Sequence, residues 1–291
     1  MSDTPTIDPT FIAIPTRRSR RRRISPLLIA CSGVLLFVAV CAVAGSAVAP
    51  HDPGAQDLAL GPAPASADHW LGTDGLGRDV FSRLIAGTRN AVVGPLLVAI
   101  GTVLIGTTLG MLAGLRGGRV DSLICRFADL VYALPALLMV VVIVGMVGGG
   151  SLIAWAVFIF FSIPTEIRLT RSATLRQSKL AYLDAARTLG LSTPRILFRH
   201  VLPNILPTVV ATGMLDFVGA LVGLSSLAFL GLGVAPGTAD WGLMLAEERS
   251  IMDLNVWAAL GPALMIILTA VSGTVVGDWL YDRLSQDRGR A

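Results

Sequence analysis

The sequence predicts an all-α, polytopic membrane protein with six transmembrane helices. Three observations point there. Hydrophobic residues make up 54% of the 291-residue chain and charged residues 14%, against about 25% charged in an ordinary soluble domain. Mean hydropathy is +0.73. The apolar residues are gathered into six runs, and the basic residues between them fall almost wholly on alternate connections.

Residues 1–26 form a basic tail containing TRRSRRRR (16–23). The run Leu27–Val48 holds 22 residues without a charge. That matches the ~20 residues needed to cross a bilayer and exceeds the ~7–15 of a signal-peptide core. The AVA at 47–49 has the look of a cleavage site, but Pro50 would follow the cut. An uncleaved first span over 27–48 is the expectation. The arginine run beside it reads as a topology signal that can touch anionic lipid, not as a nucleic-acid site.

Residues 49–90 form the next segment, expected on the extracytoplasmic side. PHDPGAQDLALGPAPASAD (50–68) is loop-like, while HWLGTDGLGRDVFSRLIAGTRNAV (69–92) is dense in Gly and charge. Val80, Phe81, Leu84 and Ile85 share one helical face, which predicts a short amphipathic helix on the membrane interface or the top of the bundle.

Residues 91–285 form a five-helix core. Its spans are expected at about 91–115, 127–148, 152–170, 208–234 and 256–281, with an inner loop at 171–207 and a tail at 286–291. Asp129, Glu166 and Arg168 make the second and third of these the least clean. Of the 23 Lys and Arg residues, only Arg78, Arg83, Arg89 and Arg249 fall in the outer segments. That asymmetry places both termini in the cytoplasm. Glycines recur four apart at Gly106, Gly110 and Gly114, at Gly219 and Gly223, and at Gly273 and Gly277. Such spacing suits close helix packing in lipid, although membrane helices are also simply rich in Gly.

The loop contains YLDAARTLGLSTPRILFRHVLPN (182–204). Ala181–Leu189 is helix-forming, and Gly190 is a stop. Ser192 or Thr193 can cap a second helix with Pro194 in its first turn, and Pro203 is expected to end it near Leu202. Leu197, Phe198 and Val201 should share one side, Arg195 and Arg199 another. Three roles fit these residues: a knob docking on another protein, a solvated basic loop, or a membrane-surface helix.

DAARTLG (184–190) with HVLP (200–203) resembles the cytoplasmic EAA motif of ATP-binding-cassette importer permeases. Asp184 stands for the family's Glu and His200 for its Ile; Ala185, Ala186, Gly190, Leu202 and Pro203 are in register. HWLGTDGLGRDVFSRLIAGTR (69–89) is similar to the segment after the first span of the "C"-type permeases for dipeptides, oligopeptides and nickel. Its extracytoplasmic motif is carried by Gly72, Thr73, Asp74, Gly77, Arg78 and Asp79. ADLVYALPALLM (128–139) and FLGLG (229–233) extend the resemblance over roughly 27–285.

The resemblance implies a type I ABC importer permease fold in the cell membrane. This chain would be half of a pore, paired as a heterodimer with a homologous permease. Two cytoplasmic ATPases would use ATP and Mg, and an extracytoplasmic binding protein would deliver a peptide, or nickel in the alternative. The chain itself would bind no cofactor and carry no catalytic residue. In the coupling loop, Asp184 would serve polar docking and Ala185 and Ala186 close contact. Gly190 and Pro203 would form the turns, with Arg195 and Phe198 on the docking helix.

Independent of any resemblance, a P-loop needs a lysine after its glycines, and the sole lysine, Lys179, lies between Ser178 and Leu180. Cys31, Cys41 and Cys125 lie in or beside apolar runs and read as packing residues. His51, His69 and His200 are the only histidines, and no HExxH occurs, so no metal site is expected. GLSS (223–226) has no histidine within a span, and no GxGD surrounds Asp129 or Asp216, so intramembrane proteolysis is not indicated. A carboxylate within a span faces the bundle or water. For Asp129 a hydrogen-bonded contact or a snorkelling group is expected. Asp216 fits a translocation path or an interhelical contact, and would be the working residue of the rival class, a proton-coupled carrier.

Overall fold

The computed structural model describes residues 25–148 and 150–288; the basic tail over 1–24 lies outside them. Among the described residues the chain is helical, with one isolated antiparallel bridge, Thr73 to Asp79. Helix α1 (Pro26–Ala44) starts where the Ser25 hydroxyl accepts the Leu27 N–H, with Pro26 in the first turn. It ends at Gly45 and a 3-10 turn over Gly45–Val48. Leu28, Cys31, Val38 and Cys41 form its buried stripe.

Helix α2 (Val80–Arg116) is 37 residues long. The predicted amphipathic helix and second span are therefore one continuous element. At ~1.5 Å per residue it reaches about 55 Å, longer than the ~30 Å hydrocarbon. Val80, Leu84 and Ile85 are buried, and Val80 and Leu84 pack with Trp241, Met244 and Leu221. This face belongs to the bundle, not to the lipid interface.

Helices α3 (Gly118–Tyr132) and α4 (Ala136–Val147) replace the single span expected at 127–148. They are bent by 75° at the break. Pro135 has no N–H to continue a helix and disfavours helical backbone at Leu134. Helix α5 (Ser151–Gln177) runs beyond the expected 152–170. Arg168 pairs with Asp129 at 2.7 Å, and Arg171 chelates Asp121, its Nη2 to Oδ2 at 2.6 Å. Asp129 is thus a paired residue, bonded to Arg168.

Helix α6 (Ala181–Thr188), the turn at Gly190, α7 (Thr193–Ile196), a π-helical turn (Leu197–Val201) and α8 (Leu202–Phe229) follow. The expected stop at Pro203 is absent: helical structure runs unbroken from Thr193 to Phe229. A proline inside an α-helix crowds the carbonyl four residues back. The wider π turn immediately before α8 lets the chain pass through Pro203 without ending. Between α8 and the last helix lies α9 (Trp241–Glu248), not anticipated from the sequence, then a 3-10 turn (Arg249–Ile251). Helix α10 (Val256–Arg288) closes the chain.

Among the described residues, five helical units, α1, α2, α5, α7–α8 and α10, are long and apolar enough to cross a membrane, and the bent α3–α4 pair, counted as one broken span, brings the number to six. Helix α2 is the hub, packed chiefly on α5 and α8. Its glycine stripe faces α5: a Cβ at Gly106 would lie 2.7 Å from the Glu166 side chain, and one at Gly114 2.8 Å from Thr174. Gly223, Gly273 and Gly277 likewise meet Phe158, Val218 and Met214, whereas Gly219 faces open space.

Candidate functional site

At the Arg116 end of α2 sits an elbow built by α6 and α7. Leu183, Ala186, Ile196, Leu197 and Val201 are buried against Met111, Ala173 and Ile205 and anchor it. Gly190 has φ +72°. Its N–H bonds to Arg187 O, and the Leu191 N–H reaches Ala186 O at 3.2 Å. This paired closure satisfies the carbonyls left free at the end of α6. Arg187 donates to Asp184 at 3.2 Å and to Leu115 O at 3.4 Å, tying the elbow to the end of α2. Tyr182 accepts from Asn204 at 3.1 Å and donates to Gln177 at 3.2 Å, joining α6 to α5 and α8.

The predicted loop residues divide between the two sides of this elbow. Asp184, Ala185, Gly190, Arg195, Phe198 and Pro203 are exposed. Ala186 is buried and holds the elbow to the bundle. Phe198 does not share a side with Leu197 and Val201: it is 53% exposed while they are buried. The turn widens to five residues there, so the spacing of an ordinary α-helix misplaces it. Leu189 is 79% exposed. No motif position marks it; the only sequence signal is an apolar residue next to Gly190.

At the Val80 end, the segment 69–79 is a clamp. Gly72 and Gly77 have φ near +70°, and a Cβ at Gly77 would overlap Asp57 O. The Asp74 carboxylate accepts the Leu76 and Arg78 N–H groups at 2.9 Å and Arg78 Nε at 2.6 Å. Arg83 Nε lies 3.3 Å from Asp74. Both arginines reach Glu247 on α9, at 3.4 and 3.5 Å. The Thr73 hydroxyl donates to Gly61 O and accepts the Ala63 N–H. Asn255, which no sequence motif marks, donates to Leu71 O at 2.9 Å and Thr73 O at 3.0 Å. Asp79 caps α2 by accepting the Ser82 N–H at 2.8 Å. Burial pushes its carboxyl up, but the Ser82 hydrogen bonds, His69 and His51 outweigh that and hold it below the ordinary range.

Between these ends α5 and α8 each carry a carboxylate. Glu166 is 1% exposed and accepts the Thr107 hydroxyl at 2.7 Å. Asp216 is partly buried, and its Oδ2 has no hydrogen-bond partner among the described residues. A cavity of about 280 Å³ opens among α2, α5 and α8, with Asn90, Trp155 and Ser225 in its wall.

The family described as binding-protein-dependent transport system inner membrane component matches residues 106–290, which contain the elbow, Glu166 and Asp216. This chain belongs to that family. The permease is 36% identical to the glutathione transport system permease protein GsiD of Pectobacterium atrosepticum, over 96% of this chain and 94% of the relative. It is 37% identical to the di/tripeptide transport system permease protein DppC of Pseudomonas aeruginosa, over 86% and 84%. The probable D,D-dipeptide transport system permease protein DdpC of Escherichia coli is 33% identical over 91% and 89%. Among solved structures, the inward-facing MetNI methionine ABC transporter superposes with a TM-score of 0.58 at 15% identity, covering 69% of this chain and 95% of that one. The permease therefore has the type I importer fold and is an integral membrane subunit of an ABC importer. Its curated relatives are transport permeases, not enzymes.

Proposed function

We propose that this permease forms half of the translocation pore of an ATP-driven peptide importer. Its partners are a homologous permease, two cytoplasmic ATPases and an extracytoplasmic binding protein. The observation that carries the reading is the elbow: buried residues fix it to the bundle, while Asp184, Arg187, Leu189, Arg195 and Phe198 are left exposed. An ATPase gripping that surface moves α2 and α8 with it, because Met111, Ile205 and Val209 pack in the same core. Alternating access follows when ATP binding favours one of two bundle arrangements. Peptide is the cargo class because the relatives are named for dipeptides and glutathione. The charge asymmetry of the sequence supports a cytoplasmic side for the elbow and both termini and an extracytoplasmic side for the segment expected at 49–90. Asp216, with a buried and unpaired oxygen beside α5, is assigned to the translocation path.

The test is uptake of a labelled dipeptide into proteoliposomes holding all four kinds of subunit. Uptake should require ATP and stop with vanadate. Uptake that ignores vanadate and collapses with a protonophore would instead establish a proton-coupled carrier.

A further inference from the structure

Two histidines that the sequence separates by a loop meet at the start of α2. His69 Nδ1 lies 2.9 Å from Asp79 Oδ1 and His51 Nδ1 lies 3.8 Å from Asp79 Oδ2. The two imidazole rings are 5.0 Å apart, centre to centre. One ligand atom from each of His51, His69 and Asp79 lies within 4.8 Å of the other two. His51 and Asp79 border a cavity of about 240 Å³ that Asp68 also lines.

We propose that His51, His69 and Asp79 form a binding site for one divalent transition-metal ion. Two imidazoles and a carboxylate are the donor set of zinc, nickel or copper, whereas magnesium and calcium favour all-oxygen sites. Three protein ligands leave a position for water, the arrangement of an exchangeable site. Ligation at ~2.0–2.2 Å needs the His51 ring to move inward, and its 44% exposure leaves that rotation free.

The backbone around the site is already fixed. The His51 N–H donates to Ser82 Oγ at 3.0 Å, and the Ser82 N–H donates to Asp79 Oδ2 at 2.8 Å. The His69 carbonyl accepts the Ser66 and Gly72 N–H groups at 2.8 and 2.9 Å. Such outer-shell bonds orient ligands before an ion arrives. An ion here staples the connection after α1 to the first turn of α2, and so couples loop 49–79 to the hub helix.

The experiment is zinc titration of the full-length chain, purified without a polyhistidine tag and held in lipid nanodiscs, followed by calorimetry. One ion per chain is expected. His51→Ala and His69→Ala should each weaken binding by at least about tenfold, and His200→Ala, distant from the site, should not. Cobalt(II) in place of zinc supplies a second readout: a visible ligand-field spectrum in the parent that His51→Ala abolishes. Absence of stoichiometric zinc, or unchanged binding in both His51→Ala and His69→Ala, overturns the proposal. No transport is measured, so the result is independent of the cargo and of the coupling partner.

Discussion

Thr170 on α5 occupies the space that a side chain at Gly110 of α2 would need. A Cβ built at Gly110 would overlap the Thr170 hydroxyl and sit 2.8 Å from Ile167 O. The approach of these helices depends on that missing atom, since packing replaces the hydrophobic term within lipid. Gly110→Val should destabilise the subunit by about 1–3 kcal/mol or more through overpacking. Gly219→Ala, where nothing lies within 4 Å, should stay within about 0.5 kcal/mol of the parent or gain slightly. Thermal melts in detergent distinguish the two; equal melting points would remove the glycine stripe from the account of the α2–α5 interface.

Asn255 makes the clamp at the other end depend on one side chain. Its amide bonds two carbonyls, Leu71 and Thr73, and it is 2% exposed. Asn255→Ala removes the donor from both carbonyls, of which the Thr73 carbonyl is buried, a loss of about 2–3 kcal/mol. Asn255→Leu should do no better. Melting temperature and protease resistance of residues 49–79 check this, and an undiminished melt would mean that water takes over both bonds.

Glu248 gives the same region a pH dependence. Burial raises its carboxyl above the ordinary 4.5, and Asp74 adds to the rise, while the Gly75 N–H, Arg78 and Arg83 pull it down. Glu247 stands in the same cluster, 3.4 Å from Arg78. The folded state therefore holds this proton more tightly than the unfolded state does. Its favourable contribution is present below pH 4.5 and declines as pH rises through the folded value. Glu248→Gln keeps an acceptor for Gly75 but carries no charge. The melting temperature of the parent relative to this variant should fall as pH is raised from about 4 to 8; parallel curves would show that Glu248 does not titrate in that interval.

Gly190 tests the elbow's geometry. Its φ of +72° is a left-handed conformation, and a Cβ there meets nothing within 4 Å. The cost of a side chain is thus backbone strain alone, about 1–2 kcal/mol. Gly190→Val should leave the subunit folded and assembled yet cut ATP-dependent uptake by about tenfold or more, whereas Gly190→Asn, which tolerates this backbone, should retain most of it. Normal uptake by Gly190→Val would detach the elbow's shape from coupling.

The parts legible in the sequence are those that lipid or backbone geometry dictates. A bilayer demands long apolar helices, so the runs at 27–48 and 256–281 could be placed by counting. Gly190 could be read because few residues accept its backbone. Continuity was harder. Arg83, Arg89 and Asn90 look like the boundary of a span, yet Asn90 is bonded to Ala239 O and Arg83 is paired with Asp74, so α2 passes through them unbroken. Pro203 reads as a stop only if the preceding turn is an ordinary α-helix. The meeting of His51 with His69 depends on how a Pro-rich loop folds back, which no periodicity encodes.

Phe198 and Leu189 decide whether the elbow is a docking surface. Both are large, apolar and exposed, at 53% and 79%, on a loop otherwise bearing Asp184, Arg187, Arg195 and Arg199. Large apolar groups set among charges are what a protein partner buries at the centre of a contact. A solvated loop gives no reason to keep them, and a membrane-surface helix would bury them in lipid instead. Cysteines at Phe198 and at Leu189, introduced one at a time, should each crosslink to the ATPase in the assembled transporter. A cysteine at Leu183, fully buried in the elbow's anchor, should not. If the proposed coupling holds, the yield should change when ATP replaces ADP. If neither exposed position crosslinks while the complex remains assembled, the ATPase grips some other surface and the coupling role of residues 181–203 is lost.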